Sequence, residues 1–143
     1  MKKEDKDLLL KDLCGRLTCD VKAFLEKKSD IGIVSGISRC PDGDIYVYCR
    51  GLGTYDLDEI KPCLFPLSSM TNEQEEELYI LLGNESVGFQ RYDNAFLDKD
   101  GYSEISMISI LKGIDWLNAN HFDYRGLIEK GLAIDATGLG IYE

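Results

Sequence analysis

The chain has one histidine, one tryptophan and no apolar run near the length of a membrane span. Each shortage removes a class of function. A single histidine, His121, permits at most one nucleophile–base pairing, and no Gly-x-Ser-x-Gly elbow is present to hold a nucleophile. There is no Gly-x-x-x-x-Gly-Lys phosphate loop and no dinucleotide fingerprint. The five cysteines, Cys14, Cys19, Cys40, Cys49 and Cys63, are odd in number and show no Cys-x-x-Cys spacing. Zinc sites use four Cys or His ligands, usually with short paired spacings, so these thiols read as small apolar residues, reduced and metal-free. A membrane span needs about 20 apolar residues. The start, MKKEDKDLLLKDL, carries charge throughout and lacks the apolar stretch and cleavage site of a signal peptide. The expectation is a cytoplasmic protein with no membrane association, no cofactor, no metal and no catalytic residue.

Basic residues are scarce in one half. Residues 1–70 carry 11 basic and 12 acidic side chains, a net of −1, whereas residues 71–143 carry 5 and 14, a net of −9. The second half repels phosphate backbones and anionic membranes and attracts a basic protein surface. This balance argues against a nucleic-acid partner.

Against these absences stands ordinary globular material of single-domain length. Leu9, Leu13 and Leu17 recur every four residues, with Leu10 and Cys14 beside them, which predicts an amphipathic helix over 4–17 with Lys6, Asp7, Lys11 and Asp12 facing water. From Thr18 the period becomes two. Strands are expected over 21–26, 31–37, 45–49 and 54–60, with a hairpin signal at Cys40-Pro-Asp-Gly-Asp44 and glycines in the second strand where it would bend. Four short strands suggest a small antiparallel SH3-like β-barrel or a curved sheet.

Thr71 or Asn72 can cap a helix running to about Leu82, with Glu73, Glu75 and Glu76 in its first turn. Residues 83–102 are the least readable. Asp98-Lys-Asp100-Gly101 invites a calcium-loop reading, but that register puts Phe96 and Met107 at ligand positions, so a turn is expected. Ser103 is the expected cap of a helix with the stripe Ile105, Ile108, Leu111, Ile114 and Leu117; a strand over 104–111 is the alternative. The fold class is therefore α+β, with an N-terminal helix and small barrel in residues 1–66 and an acidic, mainly helical region in 67–143.

The stretch from Asp115 to Ile134, DWLNANHFDYRGLIEKGLAI, concentrates chemistry-bearing residues. Asp123 reads as the N-cap of a short helix over 124–130, Arg125 and Glu129 are spaced to pair, and Gly131 suits a left-handed C-terminal position. Leu132-Ala133-Ile134 is an extended exit, and Gly138-Leu139-Gly140 reads as a mobile tail. The candidate interaction surface is His121, Asp123, Tyr124 and Arg125, together with Tyr46 and Tyr48 on the third strand. Asp123 and Arg125 are expected to be structural. Residues 115–142 resemble a motif of uncharacterised small proteins from Bacteroides-type gut bacteria, their phages and mobile elements; KDLCGRL near the start and EIKPCLFPLSSMT in the middle extend the likeness loosely. The resemblance implies a shared structural unit and carries no activity. Two classes of function remain: a protein-binding or accessory module, and a nucleic-acid-associated small barrel using Phe24, Tyr46, Tyr48 and Tyr55.

Overall fold

The computed structural model describes residues 1–82, 90–92, 95–97 and 107–143, with the side chains of 90–92, 95–97 and 107 excepted. The chain opens with α1 (Lys3–Arg16), followed by β1 (Lys22–Leu25), β2 (Asp30–Arg39), β3 (Ile45–Cys49), β4 (Gly53–Asp56) and β5 (Ile60–Pro66). Then come α2 (Asn72–Leu81), a small hairpin of β6 (Gln90–Tyr92) and β7 (Ala95–Leu97), α3 (Met107–Ala119), and the two-residue strands β8 (Phe122–Asp123) and β9 (Ile134–Asp135).

The first five strands form one antiparallel run, in the order β4-β3-β2-β1-β5. β2 joins its two halves. Its first residues pair with β1 and its later ones with β3, and a bulge between Val34 and Gly36 turns it from one to the other. A Cβ at Gly32 would stand 2.8 Å from Leu52 Cδ1 and 3.3 Å from Cys49 Cβ, so a larger residue there must displace the Leu52 side chain.

The sheet is open, not a closed barrel. Closure requires each end strand to find a second neighbour. β5 pairs with β1 and then gives its remaining pairings to β8 and β9, both parallel to it (Phe65 opposite Phe122, Cys63 opposite Ile134). β4 and β8 are left as the two ends of the path. No described helix is long and apolar enough to cross a membrane.

Two apolar clusters are buried. One gathers Leu9 and Leu13 of α1, the inner face of the sheet (Leu25, Val34, Val47, Leu64) and Leu127 and Leu132 from the C-terminal segment. The other gathers Leu67, Met70, Leu78 and Leu82 with Leu117 and Phe122. Each fully buried side chain of this size stabilises the fold by about 1.5–3 kcal/mol relative to exposure.

α2 begins as its sequence signals. The Thr71 hydroxyl accepts the Gln74 N–H, and the Gln74 side chain accepts the Thr71 N–H, a reciprocal capping box. α3 is helical from Met107, so the strand alternative fails over 107–111; the Ser103 cap and the 98–102 turn lie outside the described residues. The α3 stripe is rotated from expectation. Ile108 and Leu111 are exposed, and Gly113 faces α2, where an added Cβ would meet Leu82 Cδ2 at 2.8 Å. Gly113 is a site of close approach to Leu78 and Leu82.

Candidate functional site

The site is a corner in which residues 118–128 fold against α1. Its base is an ion pair whose carboxylate, Asp12, the amphipathic reading placed in water. Asp12 and Arg16 are both fully buried. Leu9, Asp12, Leu13 and Arg16 occupy positions i, i+3, i+4 and i+7, so the polar pair shares the inward face with the leucines. Arg16 Nε donates to Asp12 Oδ2 at 2.8 Å and Arg16 Nη2 to Asp12 Oδ1 at 3.1 Å. Nη2 also donates to the Phe122 carbonyl at 2.6 Å, tying the first helix to β8. Arg16 Nη1 is buried with no hydrogen-bond partner.

The corner's other candidate residues assemble around this pair. The Tyr124 ring lies 5.1 Å from the Arg16 guanidinium carbon and 5.3 Å from that of Arg125, within cation–π range of both. Its hydroxyl donates to Asn118 Oδ1 at 2.8 Å. Arg125 turns to Asp12 (Nε to Oδ1, 3.6 Å), not to Glu129 as its spacing suggested. One buried carboxylate is thus shared by two guanidiniums.

Asp123 is an acceptor of backbone N–H groups, but of a loop and not of a helix. Its Oδ1 accepts from Arg125 (3.3 Å) and Leu127 (3.0 Å), and its Oδ2 from Ile128 (2.9 Å). The helix expected over 124–130 does not form, because Gly126 has φ +75°, which a right-handed helix cannot pass through. Gly131 does take the left-handed conformation, at φ +72°.

His121 serves a different contact. Its backbone is left-handed (φ +63°) and its carbonyl accepts the Phe65 N–H at 2.8 Å. Its ring stacks on Tyr142, centroids 3.7 Å apart, with Nδ1 buried and unpartnered. Burial lowers its pKa to about 4, and the charges of Arg16 and Lys22 push the same way. At neutral pH it is an uncharged stacking surface and a poor base. Tyr142, which follows the Gly138-Leu139-Gly140 stretch read as a mobile tail, is anchored. Its hydroxyl donates to the Cys63 carbonyl at 2.7 Å and accepts the Lys22 N–H at 2.8 Å.

Tyr46 and Tyr48 lie elsewhere. They sit on β3, with β2, β1 and β5 between them and β8, so the sheet separates them from the corner. Asp44 and Asp56 surround Tyr46 and raise the pKa of its phenol, surroundings that repel phosphate. Tyr48 is exposed, Phe24 is half-buried, and Tyr55 is buried with its hydroxyl donating to the Leu52 carbonyl. The stacking platform therefore loses one member to the core.

All five cysteines are free thiols, but Cys14 is exposed, and burial pushes the Cys63 thiol up to about 11. Among the described residues no group of three or more His, Cys, Asp or Glu side chains converges as a metal ion requires. Sequence reasoning missed Asp12, Arg16 and Tyr142. The first two were findable from the i, i+3, i+4, i+7 pattern, whereas nothing local marks Tyr142. No protein-family model, curated protein or solved structure matches the chain.

Proposed function

We propose that the protein is a non-enzymatic binding module that docks a basic protein partner on the outer face of α2 and α3. One observation carries this reading. Of seven exposed large hydrophobic side chains among the described residues, four lie on these two helices: Ile80, Ile108, Ile110 and Leu111. Exposed apolar groups gathered on one pair of elements mark a contact surface more often than scattered ones do. The exposed charges of the same helices are Glu73, Glu76, Glu77 and Asp115 against Lys112, so acidic side chains predominate among them. A partner segment with apolar anchors and flanking Lys or Arg fits both features.

The corner supports the module without being its contact. Its ionic groups are turned inward on one another, and His121 holds no charge to offer a substrate at neutral pH. On this reading the resemblance of residues 115–142 to small Bacteroides-type and phage-associated proteins reflects a shared scaffold, in an accessory protein of the bacterial or phage cytoplasm. The test is affinity capture from host lysate with wild type and with an Ile108→Glu/Leu111→Glu variant. A basic protein held by wild type, released by salt and lost from the folded variant supports the proposal. Equal retention by both, or recovery of nucleic acid instead, refutes it.

A further inference from the structure

The third strand carries a patch that the α2–α3 face does not use. Tyr46 and Tyr48 are two residues apart on β3, so both side chains leave the same face of the sheet, opposite the buried Val47 and Cys49. Their cross-strand neighbours are short. Gly36 and Thr54 flank Tyr48, and Ser38 and Asp56 flank Tyr46. A Cβ at Gly36 would touch Tyr48 Cβ at 3.6 Å, so the bare glycine leaves that side of Tyr48 uncovered. Tyr48 is 47% exposed, and neither hydroxyl has a hydrogen-bond partner among the described residues.

Carboxylates gather at the Tyr46 end. A hollow of about 290 Å³ lies beside this residue, walled in part by Asp44, Asp56, Asp58 and Lys6. The nearby basic side chains are engaged. Lys6 Nζ lies 3.5 Å from Asp58, and Lys27, within the field of Asp56, is bonded to Glu59 at 2.6 Å. Asp44 and Asp56 have no ion-pair partner among the described residues. Beyond Tyr48, Arg50 turns to Asp20 at 3.3 Å, so the negative potential is centred on Tyr46.

This combination discriminates among the groups that stack on aromatic rings. Phosphate-bearing bases are repelled by the carboxylates. An ammonium pairs with carboxylates but has no flat face. A guanidinium lies flat on a phenol ring and presents a fork of N–H donors to carboxylates at the same time.

We propose that the outer face of β3 recognises an arginine side chain carried on an extended segment of a basic protein. The guanidinium rests on Tyr46 with Asp44 and Asp56 beside it. Tyr48 supports the residue two positions along, because alternate residues of an extended chain are about 7 Å apart on both partners. This face belongs to the sheet and not to α2 or α3, so it stands whether or not those helices dock a partner.

The probe is the peptide acetyl-Gly-Arg-Gly-Arg-Gly-amide. Its control replaces both arginines by citrulline, which keeps the flat shape and removes the charge. Backbone amide NMR locates the response. The arginine peptide is expected to shift residues 46–48 and 54–56, and the citrulline peptide should bind at least about 3-fold more weakly. Asp44→Asn combined with Asp56→Asn should weaken the arginine peptide about 3-fold to 10-fold, the scale of two exposed charge pairs. Tyr46→Leu should weaken it about 2-fold to 5-fold, whereas Tyr46→Phe, which keeps the ring, should bind as wild type does. The Ile108→Glu/Leu111→Glu variant should also bind as wild type does, which separates this face from the helical one. The proposal is overturned if citrulline binds as well as arginine, or if the double Asn variant, with a native amide spectrum, binds unchanged. It is equally overturned if a uridine oligonucleotide moves the same amides at lower concentration than the peptide. Absence of any shift there at peptide concentrations up to about 10 mM also overturns it, since a weaker contact carries little binding energy.

Discussion

The sheet of residues 22–66 and the corner of residues 118–128 are held by opposite means. In the sheet, backbone ladders satisfy the polar groups, and the buried side chains are Leu, Ile, Val, Ala and Cys with Tyr55. In the corner, regular pairing is limited to the two residues of β8, so side chains do that work: Asp123 gathers three N–H groups, and Arg16 binds a carboxylate and a carbonyl. Truncating an apolar side chain loses its transfer energy and leaves a cavity that neighbours fill only in part, whereas removing one partner of a buried ion pair strands the other in a medium of low dielectric.

Arg16→Ala is expected to be the most damaging single change, at about 3–5 kcal/mol in urea unfolding, because Asp12 would remain buried with only the half-exposed Arg125 nearby. Replacing both partners, Asp12→Leu with Arg16→Met, should recover much of that loss. If it does not, the Phe122 carbonyl left by Arg16 matters more than the pair. The sheet's counterpart, Leu64→Ala, should cost about 2–5 kcal/mol and have no polar rescue. Asp123→Ala should cost about 1–3 kcal/mol, more than an ordinary helix cap, because the N–H groups of Leu127 and Ile128 are left short of an acceptor beneath the surface. A loss below half a kilocalorie would mean that water replaces the carboxylate.

A pH series separates the regions further. The folded His121 pKa of about 4 lies below its ordinary value of 6.5, so the unfolded chain binds the additional proton between them. Stability from this group is full above about pH 6.5 and declines as pH falls towards 4. Melting temperatures of wild type should fall across that window. His121→Asn, which tolerates the left-handed backbone, should flatten the early part of the decline before carboxylates titrate. The smallest effect is expected for Arg125→Ala. Its side chain is 34% exposed, and its 3.6 Å approach to Asp12 should contribute at most about 1 kcal/mol. An equal loss in Arg16→Ala and Arg125→Ala would show that the two guanidiniums share Asp12 evenly.

Much of the first half was legible because its signals are local. The leucine stripe of α1, the alternation in β1 to β3, the Pro-Asp-Gly turn at 41–43 and the Thr71 cap depend on residues within a few positions of one another. The corner was half legible. The identity of Asp123 as a backbone acceptor follows from its place before a run of unpaired N–H groups. Its geometry does not, because a glycine adopts φ of either sign and nothing in the local sequence selects +75° at Gly126. The Asp12–Arg16 pair was open to view in its spacing, but charge at an i, i+4 interval on a leucine-bearing helix is ordinarily solvated, and that default prevailed.

The sequence by itself determined the α+β class, the α1 and α2 helices, the strand-rich first half, the uneven charge and the absence of recognised catalytic signatures. Each is a property of composition or short-range periodicity. Only the tertiary structure decided that the sheet stays open and that Tyr142 locks the C-terminal strap beside His121. It also decided that Asp12 is shared by two arginines. β8 and β9 are two residues each, too short to carry a period, and they exist because β5 offers unpaired N–H and C=O groups that burial does not allow to remain unmet.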